Sequence, residues 1–166
     1  MSTEVRQILN ADGGLVGESP LPIEEVRRLY QAMLSARVYD HKASAMQRQG
    51  RLATYASFEG QEACQIGSVA PLLEQDWVVG TYRDAGAMWF HGYTWRNLIL
   101  GRTGDERGGA APDGVKVLPP SISVGGHMIH AVGLGWGERL RGSAGVALTL
   151  FGDGATSEGD FHEAMN

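Results

Sequence analysis

The sequence places a carboxylate where an anionic ligand and its counter-cation can be held together. Residues 146–151 (VALTLF) are a fully apolar run of the kind that forms a central parallel strand. Gly152-Asp153-Gly154 follows it directly, so Asp153 stands at the carboxyl end of a strand. In open α/β sheets that edge is where ligands bind. Glycine on each side lets backbone approach an anion closely. Asp153 can hold a hard cation such as Mg²⁺, which takes one or two protein ligands and completes its shell with phosphate oxygens and water. A helix starting near Asp160 would turn its partial positive charge toward a diphosphate. Taken alone, Gly-Asp-Gly is equally the composition of a plain turn.

Tyr82-Arg83-Asp84 stands in the same relation to a second apolar segment, residues 76–81 (DWVVGT). Arg83 can fork two donors onto a phosphate and Tyr82 adds a hydroxyl. The alternative is a surface Arg83 paired with Asp84. Residues 121–127 (SISVGGH) read as a strand-to-helix transition. Exposed backbone there could hydrogen-bond a planar heterocycle with Val124 as apolar support; a glycine-permitted bend is the other reading. His127 and His130 share a helix face, but no third metal ligand of matching spacing accompanies them. Gly60-Gln61-Glu62-Ala63-Cys64 reads as a helix start, with Cys64 a packed thiol.

The elements that must position these groups follow from periodicity and punctuation. Asp12-Gly13-Gly14 between Arg6–Leu9 and Leu15-Val16 predicts a short hairpin. Val26, Leu29, Tyr30, Met33 and Leu34 recur at three and four residues, predicting a helix over 23–49 with Arg27 and Arg28 on its solvated face. Helices are also expected over 60–69, 85–91, 95–100 and 128–140, the last with Gly133 and Gly137 open to close packing by another backbone. Residues 101–120 hold five Gly and three Pro and read as a functional loop. Met33, Met46, Met88 and the four tryptophans are assigned to the core. Strands alternating with helices give an α/β class with a parallel sheet flanked by helices. The organisation is an N-terminal arm over 1–22 and a domain over 23–166.

Composition narrows the function. The chain has 166 residues and a mass of 17.8 kDa. Hydrophobic residues at 43% and charged residues at 20% suit a chain that buries a core. Fourteen Lys and Arg against 19 Asp and Glu leave a net charge of −5 without a basic cluster, so nucleic-acid binding has no electrostatic footprint. One cysteine excludes a disulfide framework and a Cys-based zinc site. No apolar run approaches the ~20 residues of a membrane span, and the first residues lack a signal-peptide pattern. The expected location is cytoplasmic.

In order and spacing, the motifs QRQGRLATYASFEGQEA (47–63), TYRDAG (81–86), SISVGGHMIHAVG (121–133) and FGDGATSEGDFHEAMN (151–166) resemble the α subunit of the E1 component of 2-oxo acid dehydrogenase complexes. The nearest likeness is to the bacterial pyruvate-acting α2β2 branch, whose leader RQILNADGGLV (6–16) also resembles. The resemblance implies a thiamine diphosphate-binding fold, incomplete at its C-terminus, with thiamine diphosphate and Mg²⁺ as cofactors. By that resemblance Tyr82 and Arg83 hold the diphosphate, Ile122 and Val124 meet the aminopyrimidine, and Gly152, Gly154 and Ala155 line the diphosphate with Asp153 as a Mg²⁺ ligand. It further implies an E1 β subunit as partner in an α2β2 heterotetramer, a lipoyl-bearing E2 as acceptor of the acetyl group, and an activating Glu donated by the β subunit. Family members run to about twice this length. The second Mg²⁺ side-chain ligand and a catalytic His are therefore expected beyond Asn166, and the isolated chain is expected to be inactive. The same motifs suit a branched-chain 2-oxo acid. A different class of function is an inert module that occupies β partners.

Overall fold

The computed structural model describes residues 7–166. Arg6, the first residue of the expected hairpin, lies outside them. Leu9 and Leu15 bridge in antiparallel fashion, and the Asn10 side chain accepts from the Asp12 and Gly14 amides within the turn.

Helix α1 spans Ile23–Arg48, with Pro22 at its entry and Glu24 and Glu25 in its first turn. The helix stands as expected, but its buried face is made of Ala32, Ala36, Tyr39, Asp40 and Ala43. Val26, Tyr30 and Leu34, which the periodicity assigned to an apolar stripe, are exposed. Small residues win the inner face because they let α1 approach its neighbours closely. Arg27 and Arg28 lie in solvent, paired with Glu24 and Glu25, and exposed pairs of this kind add little stability.

The chain continues through α2 (Glu62–Val69), strand β1 (Trp77–Val79), α3 (Ala85–Phe90) and α4 (Trp95–Arg102). It then runs through α5 (Gly126–Leu140), strand β2 (Ala147–Thr149) and α6 (Gly159–Met165). Strands β1 and β2 pair in parallel, Trp77 opposite Ala147 and Val79 opposite Thr149. On the other side of β1, Val78 meets Val117 and Thr81 meets Ser121, also in parallel. The architecture is α/β, a small parallel sheet flanked by helices.

The core gathers Phe58, Val78, Met88, Tyr93 and Leu98 against α1. Trp95 stacks between Tyr39 and Trp89, with ring centroids 4.1 and 4.5 Å away. The segment expected as a loop over 101–120 is mostly irregular, and it is packed against the domain. It forms a 3₁₀ turn at Glu106–Gly109, Tyr93 Oη donates to the Gly108 carbonyl at 2.7 Å, and Asn97 Nδ2 donates to that of Ala110 at 2.7 Å.

On α5 the two glycines stand open, and one tryptophan departs from the expected core. Among the described residues nothing lies within 4 Å of where a side chain at Gly133 or Gly137 would begin. Trp136 is 62% exposed rather than core. No described element covers that face of the helix. Cys64 is likewise exposed, not a packed thiol, because α2 turns Gln65, Ile66 and Val69 inward instead.

Candidate functional site

Three parallel segments end together: β1 runs into Tyr82 and Arg83, residues 117–121 run into Ile122–Val124, and β2 runs into Gly152–Ala155. Their carboxyl ends frame a cavity of about 470 Å³. Of the eight positions singled out in the sequence, Tyr82, Arg83, Val124, Gly152, Asp153, Gly154 and Ala155 line it. Ile122 does not. It is 75% exposed and lines an adjoining hollow of about 390 Å³, which shares Tyr82 with the first.

The Arg83 turn is fixed from several directions. Asp84 is buried, and its carboxylate accepts from the Thr81 amide and hydroxyl, both at 2.7 Å. It therefore closes the turn onto Thr81 and does not form the pair with Arg83 that was the alternative reading. The Arg83 guanidinium donates to the Ser57 carbonyl, and the Arg102 guanidinium donates to the Tyr82 carbonyl. Ser57 is itself anchored. The wholly buried Asp40 accepts from Ser57 Oγ at 2.6 Å, the Phe58 amide at 2.8 Å and Tyr55 Oη at 2.8 Å. Burial first, then the Asp40 hydrogen bond, pushes the Tyr55 hydroxyl well above the ordinary tyrosine range.

On the facing wall, Gly125 opens α5 at φ +84°, a left-handed backbone that favours glycine. His127 is buried and its Nε2 lies 2.7 Å from the Leu150 carbonyl. Because a carbonyl only accepts, Nε2 carries the proton. This ties the start of α5 to the end of β2. His127 Nδ1 is buried and has no partner among the described residues. His130 faces solvent and bonds the Gly126 carbonyl of its own helix at 3.1 Å, so the two histidines go to different tasks.

Asp153 is exposed within a 3₁₀ turn, Asp153–Ser157. The helix expected near Asp160 begins at Gly159, after that turn. Among the described residues nothing lies within 4 Å of where side chains at Gly152 and Gly154 would begin, so both present bare backbone to the cavity. The donor set suits a diphosphate with its cation: a guanidinium and a phenol on one wall, a carboxylate opposite, and an exposed Val124 for an apolar ring. Asp153 supplies one carboxylate, and among the described residues no cluster of three or more His, Cys, Asp or Glu side chains forms a metal cage. One or two protein ligands plus phosphate oxygens is the ordinary arrangement for Mg²⁺.

Sequence reasoning passed over Asp40, Ser57 and Gln65. Gln65 lines the cavity and is fully buried. The only signal for it was its place just after the Gly60-Gln61-Glu62 helix start. Asp40 gave none, since its partners lie 15 to 18 residues away.

The chain is 37% identical to the pyruvate dehydrogenase E1 component subunit alpha of Bacillus cereus over 166 residues, covering 98% of this chain and 45% of the relative. For the Bacillus subtilis protein of the same name, the identity is 38% over 163 residues, covering 96% and 44%. A Staphylococcus epidermidis relative of that name is 37% identical over 166 residues. The chain thus spans less than half the length of these curated relatives. The Dehydrogenase E1 component family matches residues 30–166. With that match running through every segment that frames the cavity, the chain belongs to the dehydrogenase E1 component family.

Proposed function

We propose that this chain contributes the α side of a thiamine diphosphate- and Mg²⁺-dependent pyruvate dehydrogenase E1 component. It would act with an E1 β partner and pass the acetyl group to a lipoyl-bearing E2. The observation that carries the reading is the convergence of Arg83, Val124 and Asp153 on one cavity at the sheet's carboxyl edge, in a chain of this family. The names of its relatives favour pyruvate over a branched-chain acid.

When bound, thiamine diphosphate supplies the electron sink for loss of CO₂ from a 2-oxo acid. The protein's own part is binding and orientation. Arg83 has five N–H donors and directs one nitrogen at Ser57, which keeps the guanidinium plane fixed while other donors can meet phosphate oxygens. Tyr82 adds a hydroxyl donor. Asp153 would hold the cation against those oxygens. Val124 and Ile122 offer apolar surface to the aminopyrimidine, Val124 from inside the cavity and Ile122 from the adjoining hollow.

The test is calorimetric titration of thiamine diphosphate with Mg²⁺ into the full chain assembled with a β partner. Asp153→Ala is expected to abolish the Mg²⁺-dependent part of the affinity. Unchanged affinity in that variant would refute the metal assignment.

A further inference from the structure

Gln65 is 1% exposed on α2, and its side chain bonds the Arg83 carbonyl, the first turn of α3 and Gln61 of its own helix start. Its Nε2 donates to the Arg83 carbonyl at 3.0 Å. Its Oε1 accepts from the Gly86 amide at 2.9 Å and the Ala87 amide at 3.3 Å. Because backbone amides can only donate and a carbonyl can only accept, these partners fix which end of the side-chain amide is oxygen. The two amides lie in the first turn of α3, where N–H groups lack partners within the helix. Asp84, at the N-cap, does not bond them with its side chain; that carboxylate is turned back on Thr81. Gln65 therefore caps α3 from another helix and clamps the preceding carbonyl with the same side chain.

The fit is tight. A side chain at Gly86 would begin 2.8 Å from Gln65 Oε1, so only glycine there leaves room for the clamp. Glutamate at 65 could accept from Gly86 and Ala87 but could not donate to Arg83. Methionine could fill the space and do neither.

We propose that Gln65 is a positioning residue for Arg83: it presets the backbone of the Tyr82-Arg83 turn so that the guanidinium meets a diphosphate without rearrangement. The proposal rests on the reading of Arg83 as a diphosphate-binding group.

The full chain with its β partner is used, with thiamine diphosphate and Mg²⁺ as the probe in calorimetry. Gln65→Met is expected to weaken binding about tenfold or more, the scale on which outer-shell partners act. Gly86→Ala, which displaces the Gln65 amide without altering Gln65, is expected to do the same. Amide hydrogen exchange on the ligand-free protein supplies the second readout. Gln65→Met speeds exchange at Gly86 and Ala87, whereas Gln65→Glu keeps those amides slow and still loses affinity. In an Arg83→Met background, Gln65→Met should cost less than about twofold more, because the two act as one unit.

Full affinity in Gln65→Met, or the same fold-loss whether or not Arg83 is present, overturns the proposal, the latter marking a merely structural role. If the unaltered protein binds no thiamine diphosphate, the functional reading fails, and exchange decides the positioning claim by itself. Faster exchange in Gln65→Met confined to residues 81–87 then upholds it, and unchanged exchange sinks it.

Discussion

His127 shows what one side chain does for the cavity. It is buried, and its Nε2–H is the hydrogen bond between the start of α5 and the end of β2. Replacing it with alanine leaves the Leu150 carbonyl unpaired and is expected to cost about 1–3 kcal/mol. Glutamine can place a donor near the same point, so His127→Gln should recover most of that loss in denaturant unfolding. Asp153 was legible in the sequence because its neighbours announce a strand end: an apolar run, then glycine on either side. Arg83 was legible because it too follows an apolar run, without the flanking glycines. Asp40 and Gln65 were not, because what makes them matter is a set of partners distant in sequence, and no local pattern encodes such pairing.

At the scale of elements, α4 and the Glu106–Gly109 turn approach most closely at Gly108, the most confined of the described glycines. A side chain at Gly108 would begin 2.0 Å from the Gly101 nitrogen and 2.6 Å from the Asn97 carbonyl oxygen. Backbone cannot step aside as a side-chain tip can, so Gly108→Ala is expected to destabilise by about 1–3 kcal/mol in thermal or denaturant unfolding. Helix α5 is tied to β1 by Glu138, which is buried and accepts from Trp77 Nε1 at 2.9 Å and Lys116 Nζ at 3.0 Å. Hydrogen bonds from Trp77, Ser143 and Lys116 hold its carboxyl down to about 2, against the usual 4.5. A carboxyl lowered in the folded state stabilises above its unfolded value and loses that contribution as pH falls. Unfolding midpoints should therefore drop between about pH 4.5 and pH 2, and Glu138→Gln should flatten that part of the profile. The long helix α1 was legible from its apolar spacing, but its inner face was not. Large and small apolar residues share the same repeat, and only packing chooses between them.

Across the whole molecule, apolar surface is unevenly covered. Ile23, Tyr30, Leu34 and Val38 lie exposed along α1, and Trp136, Leu140 and Met165 lie exposed on α5 and α6. Contiguous exposed patches beyond a few hundred Å² are uncommon on soluble monomers. The isolated chain is expected to bind an apolar fluorescent dye strongly. Trp136→Gln with Leu140→Gln should lower that signal without changing far-ultraviolet dichroism, and an undiminished signal would place the exposed surface elsewhere. The α/β class was legible from alternating strands and helices. The middle position of β1, with Val78 meeting both Leu148 and Val117, was not, because the second pairing falls in a segment whose glycines and prolines read as loop.

That middle position also bears on the expected order of assembly. The Asp76 carboxylate accepts from the Val146 amide across 70 residues of chain, beside the register that sets Trp77 against Ala147. Closing so long a loop costs entropy before any contact returns it, and pairings of this kind slow folding. Helices α1 to α4 can begin to gather around Phe58 and Met88 from nearer contacts such as Tyr55 with Asp40, 15 residues apart. The cavity takes one wall from that early group and another from β2, so it comes into being only when the distant pairing closes. A complete cavity is thus expected to form late in folding and to be lost early under mild destabilisation.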